Sequence, residues 1–324
     1  ESEEKKNRLL AIYAVLNEVL KILDILIHPF CPYTSEHLYQ TVFEGKQSIL
    51  LDKWPQYEES WVNEKIEESF DIMKDVVSIA SAARMKGKLK RRWPLNEAQI
   101  CVKKNQKIKL ESLSDLLKSQ LNVEKFNIVE TEKESGLEQL LELKELGLPV
   151  KSTLELERKK IGPKAKQHMG KLVSTFSETD PDKIILSIQK DGKYDFKIDD
   201  EIISLDKEDF IIDFDSKDNF AVAKREGFVI FISTSRNKEM MAKGLVKDIA
   251  RRLQTLRKER GYNPTDVLEV ASILELDEES LEMIKGRDEE LAFLVRVKKV
   301  NFEESCKEYK DDDIDGQKIK ISVE

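Results

Sequence analysis

Six of the ten residues from Arg84 to Trp93 are basic and none is acidic, in a 324-residue chain of formal net charge −8. The set is Arg84, Lys86, Lys88, Lys90, Arg91 and Arg92, with Trp93 beside it and Pro94-Leu95 closing it. Two chemistries fit. Cations that follow a helix offset its C-terminal dipole, by about 0.3–1 kcal/mol each, so a solvated helix end is one reading. Six like charges exceed what a cap requires, however, and Trp93 adds a stacking face. Lysine and arginine with one aromatic form a surface for a single-stranded nucleic-acid loop. A second basic set lies between Asn237 and Arg260. There Met241, Leu245, Ile249, Leu253 and Leu256 take one side of a helix, and Lys243, Lys247, Arg251, Gln254 and Lys258 share the other. Such a stripe either tracks phosphates or is an ordinary wet face, and Asp248 and Glu259 dilute its charge.

Other chemistry finds little support. Cys31, Cys101 and Cys306 are far apart and odd in number. That pattern fits reduced thiols and a cytoplasmic location, and argues against a cysteine zinc site. Three histidines, His28, His37 and His168, complete no metal or nucleophile constellation, and no glycine-rich phosphate loop or catalytic carboxylate pair is evident. Neither a catalytic residue nor a metal or cofactor site is therefore expected. No apolar run approaches the ~18 residues of a membrane span, and no signal-peptide pattern is present. The chain opens at Glu1 within a helical, unpunctuated sequence, which suggests a piece of a longer protein.

Around these residues the sequence implies an α+β, multidomain chain: an N-terminal helical bundle, then small mixed α/β modules. Residues 1–98 read as helical. Apolar residues from Leu9 to Ile27 recur at helical spacing on a stripe wide enough for burial on two sides. Pro29 and Pro32 end that helix, and Thr34 or Ser35 can cap a second. Phe30, Tyr33, Tyr39 and Trp54 are expected as core and loop anchors. Ile66, Phe70, Met73, Val76, Val77, Ala80 and Ala83 mark a third helix. Gly87 suits a left-handed cap and Pro94 forbids continuation, which would leave Lys88, Lys90, Arg91 and Arg92 on an extended strip. Residues 99–218 read as mixed α/β, with strands at Ala98–Val102 and Lys125–Val129 around a helix at Leu110–Gln120. Residues 219–302 read as a C-terminal α+β module that begins with strand Phe228–Ile232. Strands Val267–Ile273 and Lys298–Phe302 flank its two later helices, repeating the strand–helix–strand plan of 99–129 as an old duplication would. Residues 303–324 read as an acidic tail, mobile from Glu303 to Asp315.

Several stretches also carry a resemblance. Ala82-Ala83-Arg84 with Lys88-Leu-Lys-Arg-Arg-Trp-Pro-Leu95 resembles the AAR…K-x-R-x-PL segment in the anticodon-binding domain of class I aminoacyl-tRNA synthetases, in the form of the archaeal and eukaryotic isoleucyl type. His28-Pro-Phe-Cys-Pro-Tyr-Thr-Ser-Glu-His-Leu-Tyr39 and Ser48-Ile-Leu-Leu-Asp-Lys-Trp-Pro55 are similar to two further motifs of that family. Ile161-Gly-Pro-Lys-Ala-Lys-Gln-His-Met-Gly-Lys-Leu172 and Gly244–Gly261 followed by Thr265-Asp-Val267 are similar to two more. Ser233-Thr-Ser-Arg236 departs from the family's acidic approach to the last helix. The resemblance implies the tRNA-binding C-terminal part of a synthetase that uses ATP and Mg²⁺ in catalytic and editing domains not in this sequence. It implies isoleucine-specific tRNA as partner, a monomer, and tRNA contacts from Arg84, Lys88, Lys90, Arg91, Arg92 and Trp93. Lys164, Lys166 and Lys171 join these as phosphate contacts or form a lysine-rich surface loop. Lys247, Arg251 and Lys258 are the contacts on the second helix. Trp93 either stacks a splayed base or supports the strip from behind, and Arg84 is alternatively held inside by Asp71 or Asp75. A valyl- or leucyl-type relative and a protein-interaction scaffold remain as other readings.

Overall fold

A computed structural model of the chain describes residues 3–43, 47–199, 201–303, 306–314 and 316–324. The chain divides into two compact units, 1–64 and 65–324.

The first unit contains α1 (Glu3–Ile27), α2 (Pro32–Val42) and two short 3₁₀ turns. Pro32 occupies the first turn of α2, where its missing N–H costs nothing, so that helix starts earlier than a Thr34 or Ser35 cap implies. Ile25, Tyr39, Phe43 and Ile49 form a small core. The Tyr39 hydroxyl donates to Asp52 at 2.7 Å, and Lys21 pairs with the same carboxylate at 2.9 Å. Tyr39 is the one expected anchor that is buried; Phe30, Tyr33 and Trp54 are exposed. Expected two-sided burial of α1 is not found either. Leu16 and Leu20 are about half exposed, and among the described residues of that helix only Asp24 and Ile25 are buried. Periodicity reports which side chains share a face, not what covers the face.

The second unit runs α3 (Glu64–Lys86), β1 (Leu95–Val102), α4 (Lys104–Glu111), α5 (Ser114–Leu121), β2 (Val123–Glu130), α6 (Gly136–Glu145), β3 (Val150–Leu156), α7 (Arg158–Ala165), α8 (Met169–Glu178) and α9 (Pro181–Asp191). It continues through β4 (Lys193–Ile198), β5 (Glu201–Asp206), β6 (Phe210–Ser216), β7 (Phe220–Arg225), β8 (Phe228–Ser233), α10 (Lys238–Glu259) and β9 (Leu268–Leu274). Last come α11 (Glu278–Ile284), α12 (Asp288–Val295), β10 (Val297–Asn301), β11 (Lys310–Ile314) and β12 (Gln317–Val323).

Two four-stranded sheets organise this unit, in the orders β2-β1-β8-β7 and β10-β9-β12-β11. In the first, β1 pairs parallel with β2 and antiparallel with β8. Alternating side chains send Ala98, Ile100, Val102, Phe228, Ile230 and Ile232 to one core, with α3, α4 and α5. Cys101, Val229 and Phe231 enter a second core, filled by residues 137–214. Burial on both faces explains why Phe228–Ser233 is an unbroken buried run. Burial also pushes the Cys101 thiol up to about 12, so it stays protonated.

Three boundaries read from the sequence shift accordingly. Strand Phe228–Ser233 completes the first sheet rather than opening a C-terminal module. The third helix of the expected bundle, α3, packs its buried Met73, Val76, Ile79 and Ala83 with strand residues. The expected acidic tail contains β11 and β12, and β12 pairs directly with β9; Glu304, Ser305 and Asp315 of that stretch lie outside the described residues. Ile319, Ile321 and Val323 supply the apolar alternation that charge counting hid. No helix among the described residues is long and apolar enough to cross a membrane.

Phe231 is fully buried. Phe231→Ala is expected to lower unfolding stability by about 3–5 kcal/mol, read as a lower denaturant midpoint with unchanged slope.

Candidate nucleic-acid interface

The basic stretch begins where α3 ends. Leu89 N–H donates to Arg84 O at 2.8 Å and Lys88 N–H to Met85 O at 3.1 Å. This is the paired closure of a helix that requires one left-handed residue. That residue is Lys88, with φ 54°, and not Gly87 as expected. Gly87 instead sits in a tight space: a Cβ there would meet Ala221 Cβ at 3.1 Å and Thr234 Cγ2 at 3.2 Å. From Lys90 the chain turns rather than extending, and Trp93 N–H donates to Lys90 O at 3.1 Å.

Arg84 lies under this turn and is 5 % exposed. Its guanidinium donates to the carbonyls of Lys90 (3.0 Å), Trp93 (3.0 Å), Leu121 (2.8 Å) and Asn122 (3.2 Å). Neither Asp71 nor Asp75 holds it; Asp71 pairs with Lys74 and Asp75 with Arg225. Burial, then the nearby Arg91 charge, pulls the Arg84 pKa down to about 10, which leaves it protonated at neutral pH. Arg84 therefore shapes the turn from inside and is not part of the exposed strip.

The turn docks on α10 through Asp248. That carboxylate is 2 % exposed. It accepts from Lys90 Nζ at 2.9 Å, Arg92 Nε at 3.0 Å, Arg92 Nη2 at 2.7 Å and Trp93 Nε1 at 2.8 Å. Burial alone would raise its pKa, but the hydrogen bonds from Lys90, Trp93 and Arg92 prevail and hold it below the ordinary value. One turn away, a Cβ on Gly244 would sit 2.6 Å from Trp93 Cδ2, so only glycine lets the indole lie against the helix. The Arg236 guanidinium carbon is 4.4 Å from the indole centroid and Lys90 Nζ is 5.5 Å away.

The four expected contact residues of the strip divide into two states. Lys90 and Arg92 share Asp248 yet leave about a third of their side chains in water. Arg91, like Lys86 and Lys88, is exposed and makes no ion pair among the described residues. On α10, Lys243 pairs with Glu239 at 2.7 Å. Lys247 is half-buried, Arg251 and Lys258 are exposed, and these three have no ion-pair partner among the described residues.

The lysines of residues 161–172 lie elsewhere. Ile161, Ala165 and Leu172 pack in the Cys101 core, on the opposite face of the sheet from α3. Lys164 pairs with Asp206 at 2.9 Å and with buried Asp209, bonds that raise its pKa. Lys171 pairs with Asp199 at 2.6 Å. Lys166 is exposed. Sequence reasoning missed Asp248, Gly244 and Arg236. A glycine inside a 22-residue helix was the available signal, since it costs about 1 kcal/mol relative to alanine and so points to a close approach.

Residues 1–100 match the family model of the anticodon-binding domain of tRNA ligase. Over most of its length the chain is homologous to archaeal isoleucine–tRNA ligases. It is 27% identical to that of Pyrococcus furiosus over 300 residues, 91% of this chain and 26% of the relative. With that of Sulfolobus acidocaldarius the identity is 26%, covering 90% of this chain and 26% of the relative. With that of Archaeoglobus fulgidus it is 26%, covering 100% of this chain and 29% of the relative. The chain thus spans little more than a quarter of the length of these relatives.

Asp248→Asn keeps the shape and removes the charge. It is expected to cost about 2 kcal/mol, less than a fully buried pair because both cations are partly hydrated, and to shift Trp93 emission to the red. Because the folded pKa of Asp248 is depressed, its contribution is complete above the unfolded value of about 3.9 and is lost as pH falls through the folded value. A pH titration of Trp93 emission should therefore be flat from pH 7 to 5 and move only in stronger acid. Gly244→Ala should expel the indole at all of these pH values.

Proposed function

We propose that this chain is the tRNA-binding, anticodon-recognising region of an isoleucine–tRNA ligase. In this reading it positions tRNA for ATP- and Mg²⁺-dependent aminoacylation by a catalytic domain outside this sequence. The observation that carries the reading is a pre-shaped cationic turn on an acidic protein. Arg84 fixes its backbone, Asp248 fixes Lys90, Arg92 and Trp93, and Lys88 and Arg91 project without ion-pair partners among the described residues. In this arrangement Lys88, Lys90, Arg91 and Arg92 meet backbone phosphates. Trp93 serves chiefly as the support, its N–H committed to Asp248 and its ring to Gly244 and Arg236. Lys247, Arg251 and Lys258 extend the phosphate-tracking surface, and Lys166 adds an outlying contact. Lys164 and Lys171 serve the fold through their aspartate pairs.

The partners are then isoleucine-specific tRNA and the catalytic and editing domains of the same longer protein, in the cytoplasm, as a monomer. The half-exposed apolar stripe of α1 supports such a covering domain. The same stripe favours the second reading, a non-catalytic scaffold that docks other proteins. A valyl- or leucyl-type parent is separated from the isoleucyl type by tRNA preference.

The test is binding of the chain to isoleucine-specific tRNA and to the same tRNA with one anticodon base changed, at low and moderate salt. Preference for the intact anticodon is expected. Arg91→Ala should weaken binding and lower the log–log salt slope by about 0.7–0.9; scaffold binding would survive that change. Lys88→Gly separates stability from binding. It relieves the left-handed lysine and should stabilise the chain by about 1 kcal/mol, while loss of the cation weakens tRNA binding.

A further inference from the structure

The two sheets have one topology, and the correspondence extends to single hydrogen bonds. Arg257, near the end of α10, is 5 % exposed. It donates to the carbonyls of Asn263 (3.3 Å), Asp266 (2.7 Å), Arg296 (2.9 Å) and Val295. Arg84 uses carbonyls at the same offsets, six and nine residues onward, and then the last helical residue before the parallel strand and its left-handed successor. The left-handed residues are Asn122 and Arg296. Gly261 takes the left-handed position of Lys88, and Asp266 N–H donates to Asn263 O as Trp93 N–H does to Lys90 O. Leu95 N–H donates to Asn122 O and Leu268 N–H to Arg296 O, both at 3.1 Å. The elements α10, β9, α11, α12, β10, β11 and β12 therefore repeat, contiguously, the plan of the unit formed by α3, β1, α4, α5, β2, β7 and β8, and the two are copies in that sense.

The copies have diverged where the turn meets solvent. In the first copy the cations are on the turn. In the second the turn reads Asn263-Pro-Thr-Asp266, and the cations line a groove of about 450 Å³ beneath it. Lys258 stands where the first copy has Met85, Tyr262 where it has Leu89, and Arg296 where it has Asn122. Gln254, Pro264 and Leu294 also line it, as does the buried Arg257, whose guanidinium is committed to backbone carbonyls. Lys258 and Arg296 are exposed and have no ion-pair partner among the described residues, and no acidic side chain lines the groove. Phe293, 82% exposed, lies beside Leu294 on α12. Two free cations, a half-buried tyrosine and a largely apolar floor suit an anion joined to a flat apolar group. The volume lies within the range of small-ligand clefts.

We infer that the Lys258–Tyr262–Arg296 groove of the second copy binds a nucleotide of single-stranded RNA, its phosphate between the two cations and its base against Tyr262. This rests on the reading of the chain as tRNA-binding and adds a second site, placed at the counterpart of the first copy's strip.

The first copy supplies the test variants. Lys258→Met with Arg296→Asn installs its residues, and asparagine tolerates the left-handed backbone at 296; Tyr262→Leu does the same for the ring. Lys258→Gln is a milder companion on an exposed position. Thermal melts check folding, and anisotropy reads affinity for isoleucine-specific tRNA and for a short unstructured oligoribonucleotide across salt. The double swap is expected to weaken both severalfold and to lower the salt slope by about 0.7, one single-strand phosphate's worth. Tyr262→Leu should weaken oligonucleotide binding roughly tenfold. Unchanged affinity and slope in the double swap, while Arg91→Ala still weakens tRNA binding, would overturn the groove and leave the strip standing. Loss in the double swap with none in Arg91→Ala would keep the groove and remove the strip. RNA binding retained by the double swap with loss of an acidic peptide would assign the groove to a protein and overturn the inference.

Discussion

A guanidinium sealed among backbone carbonyls is the constraint on which the second unit is built. Arg84 has no carboxylate partner among the described residues, so its charge is compensated by oriented C=O dipoles from the turn at 90–93 and from the end of α5. Burying a cation is unfavourable unless its donors are satisfied. Four acceptors at fixed points therefore lock three segments together: the end of α3, the turn, and the entry to β2. Arg257 does the same for α10, its turn and β10.

That internal lock divides the labour of a cationic stretch. Of six positive side chains, one is interior, two lean on a buried aspartate, and three extend into water. The interior and tethered members hold the turn before any partner arrives. A partner then meets a surface whose ordering cost has already been met in folding, which is where preorganisation adds affinity. The mutual repulsion of the cations is relieved by Asp248, so the acidic residue that seemed to dilute the α10 stripe is what makes the dense charge tolerable.

The sequence was most legible where the signal is local. Helical spacing in α3 and α10 and the apolar run of β8 are visible because each element repeats its own period. What joins the elements was not visible. The pairing of β8 with β1 spans a large insertion, and no property of Phe228–Ser233 names its partner. The acid content of residues 303–324 masked the alternation of Ile319, Ile321 and Val323. At the interface, charge density and Trp93 drew attention to the right segment. Composition could not say that Arg84 faces inward, that Asp248 is a counter-ion, or that Lys164 and Lys171 are committed to aspartates. Those depend on tertiary contacts across dozens of positions. Phe30, Tyr33 and Trp54 show the converse: large aromatics suggest a core, yet all three are exposed.

The insertion between β2 and β7 also sets an order of assembly. In the second copy only residues 275–316 separate β9 from its partner β12, so its sheet closes over a shorter stretch of chain. In the first copy β1 must wait for β8, with four helices and four strands of unrelated chain between β2 and β7 to be gathered first. Pairings of long sequence separation incur their closure entropy before the contacts repay it and slow the search. Until that happens β1 has an unpaired inner edge, and its face opposite α3 is uncovered. The N-terminal copy of a duplicated fold thus becomes the later one to mature, although a ribosome delivers its helix and first two strands well before those of its twin.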